Sequence, residues 1–377
     1  MDAGTYVQKK AGLDGLTIAR FFAAICVVIY HFYDRSQAPS PLLANLFSGG
    51  FFPFFFILSG FLLTYVARPN QTLRDFWVKR LARVYPVYVL AWIGTGLFLF
   101  LWMPTLTAFL RTLGFYGLPT LIFAQSWIPK AAVGWNWPAW SMAAEIFFWL
   151  TFPWAYRLIA RSRRLVVLLA VFVIVNAFIY VARAELTAAR ALMLEGTLLE
   201  TPWSRYIAYF PPTFLVQFLM GIALAFLFMR HGSMPRIWRC VAIAATGFVL
   251  VLPAKIAGVA SDAYLGLCYC ALIYAIASMR VPASALTGML VTLGKTSYSL
   301  FILQGPVWTL YWYCQGENGG HRPFSQLLPY LALLIVIALL TYRYIETPAS
   351  DWIRKRFGAP RPAALPLKAT ATSPGLS

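Results

Sequence analysis

Between residues 16 and 346 the chain is a series of apolar runs, each about as long as a bilayer-spanning helix, separated by short polar loops. A helix needs roughly 20 apolar residues to cross the hydrocarbon core. Ten segments qualify: 16–33, 49–67, 84–102, 139–158, 164–182, 207–229, 236–253, 261–279, 288–313 and 327–346. In lipid, every backbone N–H and C=O must find its partner within the protein, and helices do this segment by segment. The sequence therefore predicts an all-α, polytopic transmembrane helix bundle of about ten spans. Composition excludes the alternatives. Of 377 residues, 60% are hydrophobic and 11% charged, against about 25% charged in soluble domains. A soluble globular domain, a disordered chain and a disulfide scaffold do not fit. Cys26, Cys240, Cys268, Cys270 and Cys314 show no metal-ligand spacing, so no metal is expected.

The net charge of +19 is explained by topology. With ten spans and both termini cytoplasmic, 21 of the 31 Lys and Arg fall on the inner side, 8 fall outside, and Arg20 and Lys295 lie within spans. This is the positive-inside bias, and no nucleic-acid partner is needed. The stretch 105–125 is apolar but broken by Arg111, Gly114, Gly117 and Pro119. It is read as an interfacial or re-entrant piece, because such breaks need protein cover at membrane depth. The opening residues lack the short apolar core and small-residue cleavage site of a signal peptide. The expected organisation is a cytoplasmic segment (1–15), a membrane domain (16–346) and a cytoplasmic tail (347–377). From about residue 358 the tail is rich in Pro, Ala, Thr and Ser and is expected to be largely disordered.

Ionisable groups inside a bilayer are costly, which makes the few present informative. Arg20 and His31 are eleven residues apart in the first span. At 100° per residue they share one face, about 17 Å apart along the axis. They outline a polar track, or else they snorkel to the two interfaces. Glu145 lies a few residues into the fourth span, at a depth expected to match His31. A carboxylate there suits an imidazole partner, or a packing hydrogen bond. The loop expected over 68–83 carries five basic residues. Arg80 and Arg83, three apart, face one side of a helix. They suit phosphate binding, or ordinary topological charge.

Six stretches taken together resemble the acyltransferase family 3 membrane proteins. LTIARFFAAICVVIYHF has an Arg, ten residues, then a His. GGFFPFFFILSGFLLTY resembles the family's second helix, and RLARVYP its RxxR element with Arg80 and Arg83. NWPAWSMAAEIFFWLTFP resembles its Trp-Ser…Glu…Phe-Pro block, with Asn136, Trp140, Ser141 and Glu145. GKTSYSLFILQGPVW resembles its Ser-Tyr-Ser block, which includes Tyr298, and YIETP its terminal Glu-x-Pro. Two departures stand out. Gln304 occupies a position where members often have His, and no hydrolase-like domain follows residue 346.

The resemblance implies a multi-pass bacterial inner-membrane enzyme that moves an acyl group, commonly acetyl, from acyl-CoA to a hydroxyl. Its acceptors include surface polysaccharides, peptidoglycan, signalling saccharides and macrolides. Acyl-CoA is a donor substrate here, and no bound cofactor is implied. On this reading Arg80 and Arg83 meet the donor's phosphates and Arg20 lines the path of its arm. His31 acts as general base, or carries the acyl group as an acyl-imidazole. Glu145 orients the ring or stabilises its cation. Ser141, Tyr298 and Asn136 are candidate oxyanion donors, with Trp140 beside them. A transporter or flippase for an anionic or saccharide compound is the competing reading, since buried Arg20, His31 and Glu145 also suit a carrier.

Overall fold

The computed structural model describes residues 13–34, 51–68, 71–128, 130–193, 208–251, 262–315 and 323–358. Helices joined by turns account for them, with no β-strand among the described residues. The first twelve residues, and the tail beyond residue 358 that was expected to be disordered, lie outside them.

The helices are α1 (Leu13–Asp34), α2 (Phe52–Val66), α3 (Leu73–Trp102), α4 (Leu106–Thr112), α5 (Leu118–Leu121), α6 (Trp140–Ala160), α7 (Leu165–Met193), α8 (Leu215–His231), α9 (Arg236–Val251), α10 (Asp262–Ala277), α11 (Ala285–Lys295), α12 (Ser297–Cys314), α13 (Leu327–Thr341) and α14 (Thr347–Phe357). The described part of each of the ten apolar segments is mainly helical. Among the described residues, five helical stretches are long and apolar enough on their own to cross a bilayer, or six when the bent pair α11–α12 is taken as one. Large apolar side chains cover the outward faces, among them Leu158 at 74% and Phe178 at 71% exposure. Surfaces of this kind are covered by lipid.

Two local features differ from the expectation, and a third bears on it. The basic segment 68–83 is helical from Leu73 onward. Thr72 Oγ1 caps α3 by accepting from Asp75 N at 3.1 Å, and Lys79 pairs with Asp75 at 2.5 Å one turn later. Cap and pair together start the helix well before its apolar run. The stretch read as one span over 288–313 is two helices meeting at 54°. Thr296 between them turns its hydroxyl back to Leu293 O at 2.8 Å, a contact that competes with the helical ladder and bends it. The ambiguous 105–125 stretch forms α4, a π-helical turn (Leu113–Gly117) and α5. These pieces are too short to cross. Trp92 Nε1 and Tyr88 Oη fasten them to α3 by donating to Gly117 O at 2.8 Å and Thr120 O at 2.6 Å.

A close crossing joins α2 and α8. On α2 a Cβ at Gly60 would lie 2.1 Å from Phe218 O, and on α8 a Cβ at Gly221 would lie 1.9 Å from Ile57 O. Only two glycines let these backbones meet, as small residues do at membrane helix contacts. The crossing sets the rotation of α2 and so aims its neighbour Ser59. Around it α1 packs on α11 and α12, while α3 packs on α12 and α14.

Candidate functional site

A cavity of about 410 Å³ opens between α1, α2, α3, α6 and α12. That volume lies in the range of small-molecule sites. Three guanidinium groups reach it, from Arg20 on α1 and from Arg80 and Arg83 on α3. One turn separates Arg80 from Arg83, so α3 presents both to the same side. Glu145 of α6 also lines the cavity. Its Oε1 accepts from Ser59 Oγ in a short hydrogen bond and from Trp149 Nε1 at 2.9 Å. A second carboxylate, Glu346, stands within electrostatic reach of Arg20 and Arg83. It is 3% exposed, and its Oε2 accepts from Ser299 Oγ at 2.5 Å.

The surplus charge is positive. Among the described residues neither carboxylate forms a direct ion pair with these arginines. Arg80 Nε and Ser297 Oγ are buried without a hydrogen-bond partner, and both residues line the cavity. A buried donor without a partner is expensive. Both residues border the cavity, and an anionic or carbonyl-bearing ligand is the chemistry that would satisfy such donors.

His31 lies further along α1 from Arg20. Its Nδ1 stands 2.8 Å from Gln304 Oε1 on α12. Its ring is flanked by Phe52 at 6.2 Å and by Trp137 at 6.4 Å between centroids. Phe52 is itself part of the cavity wall, whereas His31 is not. One aromatic ring therefore separates the arginine cavity from the imidazole.

The structure divides the expected residues into groups. Arg20, Arg80, Arg83, Glu145, Ser141 and Tyr298 come together around the cavity. Glu145 was expected near the depth of His31, as a partner for the imidazole or in a packing hydrogen bond; its hydrogen-bond partners are Ser59 and Trp149. Gln304 is a hydrogen-bond partner of the imidazole. Tyr298 Oη donates to Val84 O at 3.0 Å and Ser141 Oγ to Pro138 O at 3.2 Å, so their protons are engaged. Asn136 stands apart from the cavity, 4% exposed, with Nδ2 donating to Ile302 O at 3.0 Å. Trp140 stacks into an aromatic wall, 5.1 Å from Phe52 and 5.3 Å from Phe214.

Sequence reasoning passed over Ser59, Ser297 and Glu346 as site residues. Glu346 carried a usable signal, an acid at the end of an apolar run, which is the criterion that singled out Glu145. Its inward aim depends on a π-helical turn, Tyr342–Glu346. Pro348 cannot donate to the carbonyl of Tyr344, and a wider turn carries the helix past that point.

Comparison with known proteins adds the chemistry. A family model described as an acyltransferase domain matches residues 13–343. Acyltransferase MdmB of Streptomyces mycarofaciens is 29% identical, over 97% of this chain and 98% of its own. The putative peptidoglycan O-acetyltransferase YrhL of Bacillus subtilis is 26% identical, over 89% of this chain and 54% of its own. O-acetyltransferase OatA of Staphylococcus aureus is 25% identical, over 92% and 57%. The chain spans about half the length of these last two. No solved structure matches it.

Proposed function

We propose, from the premise that the chain belongs to the acyltransferase family whose domain model it matches over residues 13–343, that it is a bacterial inner-membrane O-acyltransferase. It moves an acyl group, acetyl in particular, from acyl-CoA to a hydroxyl of a saccharide or glycosylated acceptor. Acetyl is favoured because two of the relatives are named O-acetyltransferases. All three relatives are named for acyl transfer, and nothing found favours the export reading. The orientation adopted has ten spans with both termini cytoplasmic, supported by the bias of 21 basic residues to 8.

The observation that carries the reading is the convergence of Arg20, Arg80 and Arg83 on one cavity along the helix that bears His31. Phosphates of a donor made in the cytoplasm meet Arg80 and Arg83, where guanidinium groups bind them strongly. The donor's arm lies along Arg20 towards Phe52 and His31. The imidazole takes the proton of the acceptor hydroxyl as the oxygen attacks the thioester carbon. The carbon–sulfur bond then breaks, and the departing thiolate of CoA recovers the proton. Ser297 Oγ, with no partner of its own, is the donor best suited to a carbonyl oxygen in the cavity. Glu145 offsets part of the arginine charge.

The test uses the purified full chain in detergent with acetyl-labelled CoA and a panel of hydroxylated saccharides. Transfer of label or release of CoA above background is expected, and both are lost in a folded His31→Ala variant. A protein that turns over no donor, yet moves a saccharide into sealed vesicles without CoA, would overturn the proposal.

A further inference from the structure

The orientation of the Gln304 side chain is settled by its own contacts. Its Nε2 donates to Phe301 O at 2.8 Å. A carbonyl oxygen can only accept, so the amide nitrogen faces Phe301 and the amide oxygen faces His31. That oxygen, 2.8 Å from Nδ1, can only accept as well, so Nδ1 carries a hydrogen. Gln304 is 0% exposed, and no bulk water competes for the contact. Its backbone is held too, since Tyr330 Oη donates to Gln304 O at 3.0 Å.

We propose that Gln304 is the positioning residue for His31. It holds the neutral ring in the Nδ1–H tautomer, and Nε2 therefore carries the lone pair. The inference deepens the reading of His31 as general base and rests on it. An amide does not titrate, so the orientation holds at every working pH. An amide also has no charge to stabilise the imidazolium, unlike a carboxylate in the same place. Among the described contacts, the ring meets Tyr30, Phe52, Trp137 and Gln304. Of these, Tyr30 is the titratable one.

The experiment is nitrogen NMR of the full chain labelled at histidine, in detergent, at a pH where the rings are neutral. The chain has 3 histidines, His31, His231 and His321, and the His31 signals are those missing in His31→Gln. A pyrrole-like Nδ1 and a pyridine-like Nε2 are expected. In Gln304→Leu the Nε2–H form gains population, and kcat falls about tenfold to a hundredfold at an unchanged donor KM. In Gln304→Glu the tautomer is kept, transfer is retained, and the acidic limb of kcat/KM moves to higher pH because the carboxylate favours the imidazolium. A wild-type His31 protonated on Nε2 would overturn the inference, as would a Gln304→Leu variant with tautomer and kcat both unmoved. Transfer retained in His31→Ala would instead end the reading of His31 as base, which separates the two failures.

Discussion

Asn136 supplies the hydrogen-bond donor that Pro306 lacks. In α12 the N–H of residue 306 would bond to the carbonyl of Ile302, but a proline has none. The amide Nδ2 of Asn136, 166 residues earlier in the chain, donates to that carbonyl at 3.0 Å. The segment entering α6 is thereby fastened to α12 two residues from Gln304. The fit is tight, since a Cβ at Gly305 would lie 2.1 Å from Asn136 Oδ1.

Asn136→Ala accordingly lowers the unfolding free energy by about 1–2 kcal/mol by orphaning a buried carbonyl. Pro306→Ala restores an N–H, so the same asparagine substitution costs less in that background. Thermal unfolding of the four proteins in detergent measures this coupling. If Asn136 were an oxyanion donor instead, kcat would fall by roughly a hundredfold or more with little change in unfolding and no repair by Pro306→Ala.

On the proposed reading, Arg80→Ala and Arg83→Ala act on donor binding. Each is expected to raise the donor KM by about tenfold to a hundredfold, the worth of a hydrogen bond to a charged group, with a smaller effect on kcat. Steady-state kinetics at varied acyl-CoA reads this directly. An unchanged KM would reduce both residues to topological charge.

Glu145→Gln separates an arginine counter-charge from an imidazole partner. The variant keeps an oxygen for Ser59 and Trp149 but removes a negative charge from the cavity proposed to hold the donor's phosphates. The donor KM is expected to fall, and the acidic limb of the pH profile is expected to stay where it is. A limb displaced to lower pH would mean that the carboxylate does stabilise the imidazolium.

Phe52 closes the cavity on the side of His31. Phe52→Ala is expected to improve turnover of longer acyl-CoA donors relative to acetyl-CoA, measured as a ratio of kcat/KM values. Truncating an aromatic side chain removes packing, so the ratio is informative where absolute rates are not. An unchanged ratio would show that the acyl chain does not point towards this ring.

Much of this was legible along the chain. The helices follow from apolar runs, since backbone groups in lipid have few other solutions. Arg20, His31 and Glu145 stood out through the cost of ionisable groups in such runs. Less legible were the helical start at Leu73, where a cap and a salt bridge sit, and the break at Thr296, where a hydroxyl turns back to Leu293 O. Periodicity put Arg20 and His31 on one face, but it could not say what that face would meet.

By itself, then, the sequence determined an all-helical membrane protein, its family and the polar residues that lipid would not tolerate without a purpose. Tertiary structure alone decided their pairing: Glu145 with Ser59 and Trp149, His31 with Gln304, and Glu346 turned inward by a π-helical turn. The physical reason is that helical periodicity assigns a residue to a face, whereas the neighbour of that face depends on how helices far apart in the chain are rotated and seated. That seating rests on contacts such as Gly60 against Gly221, which no local pattern specifies.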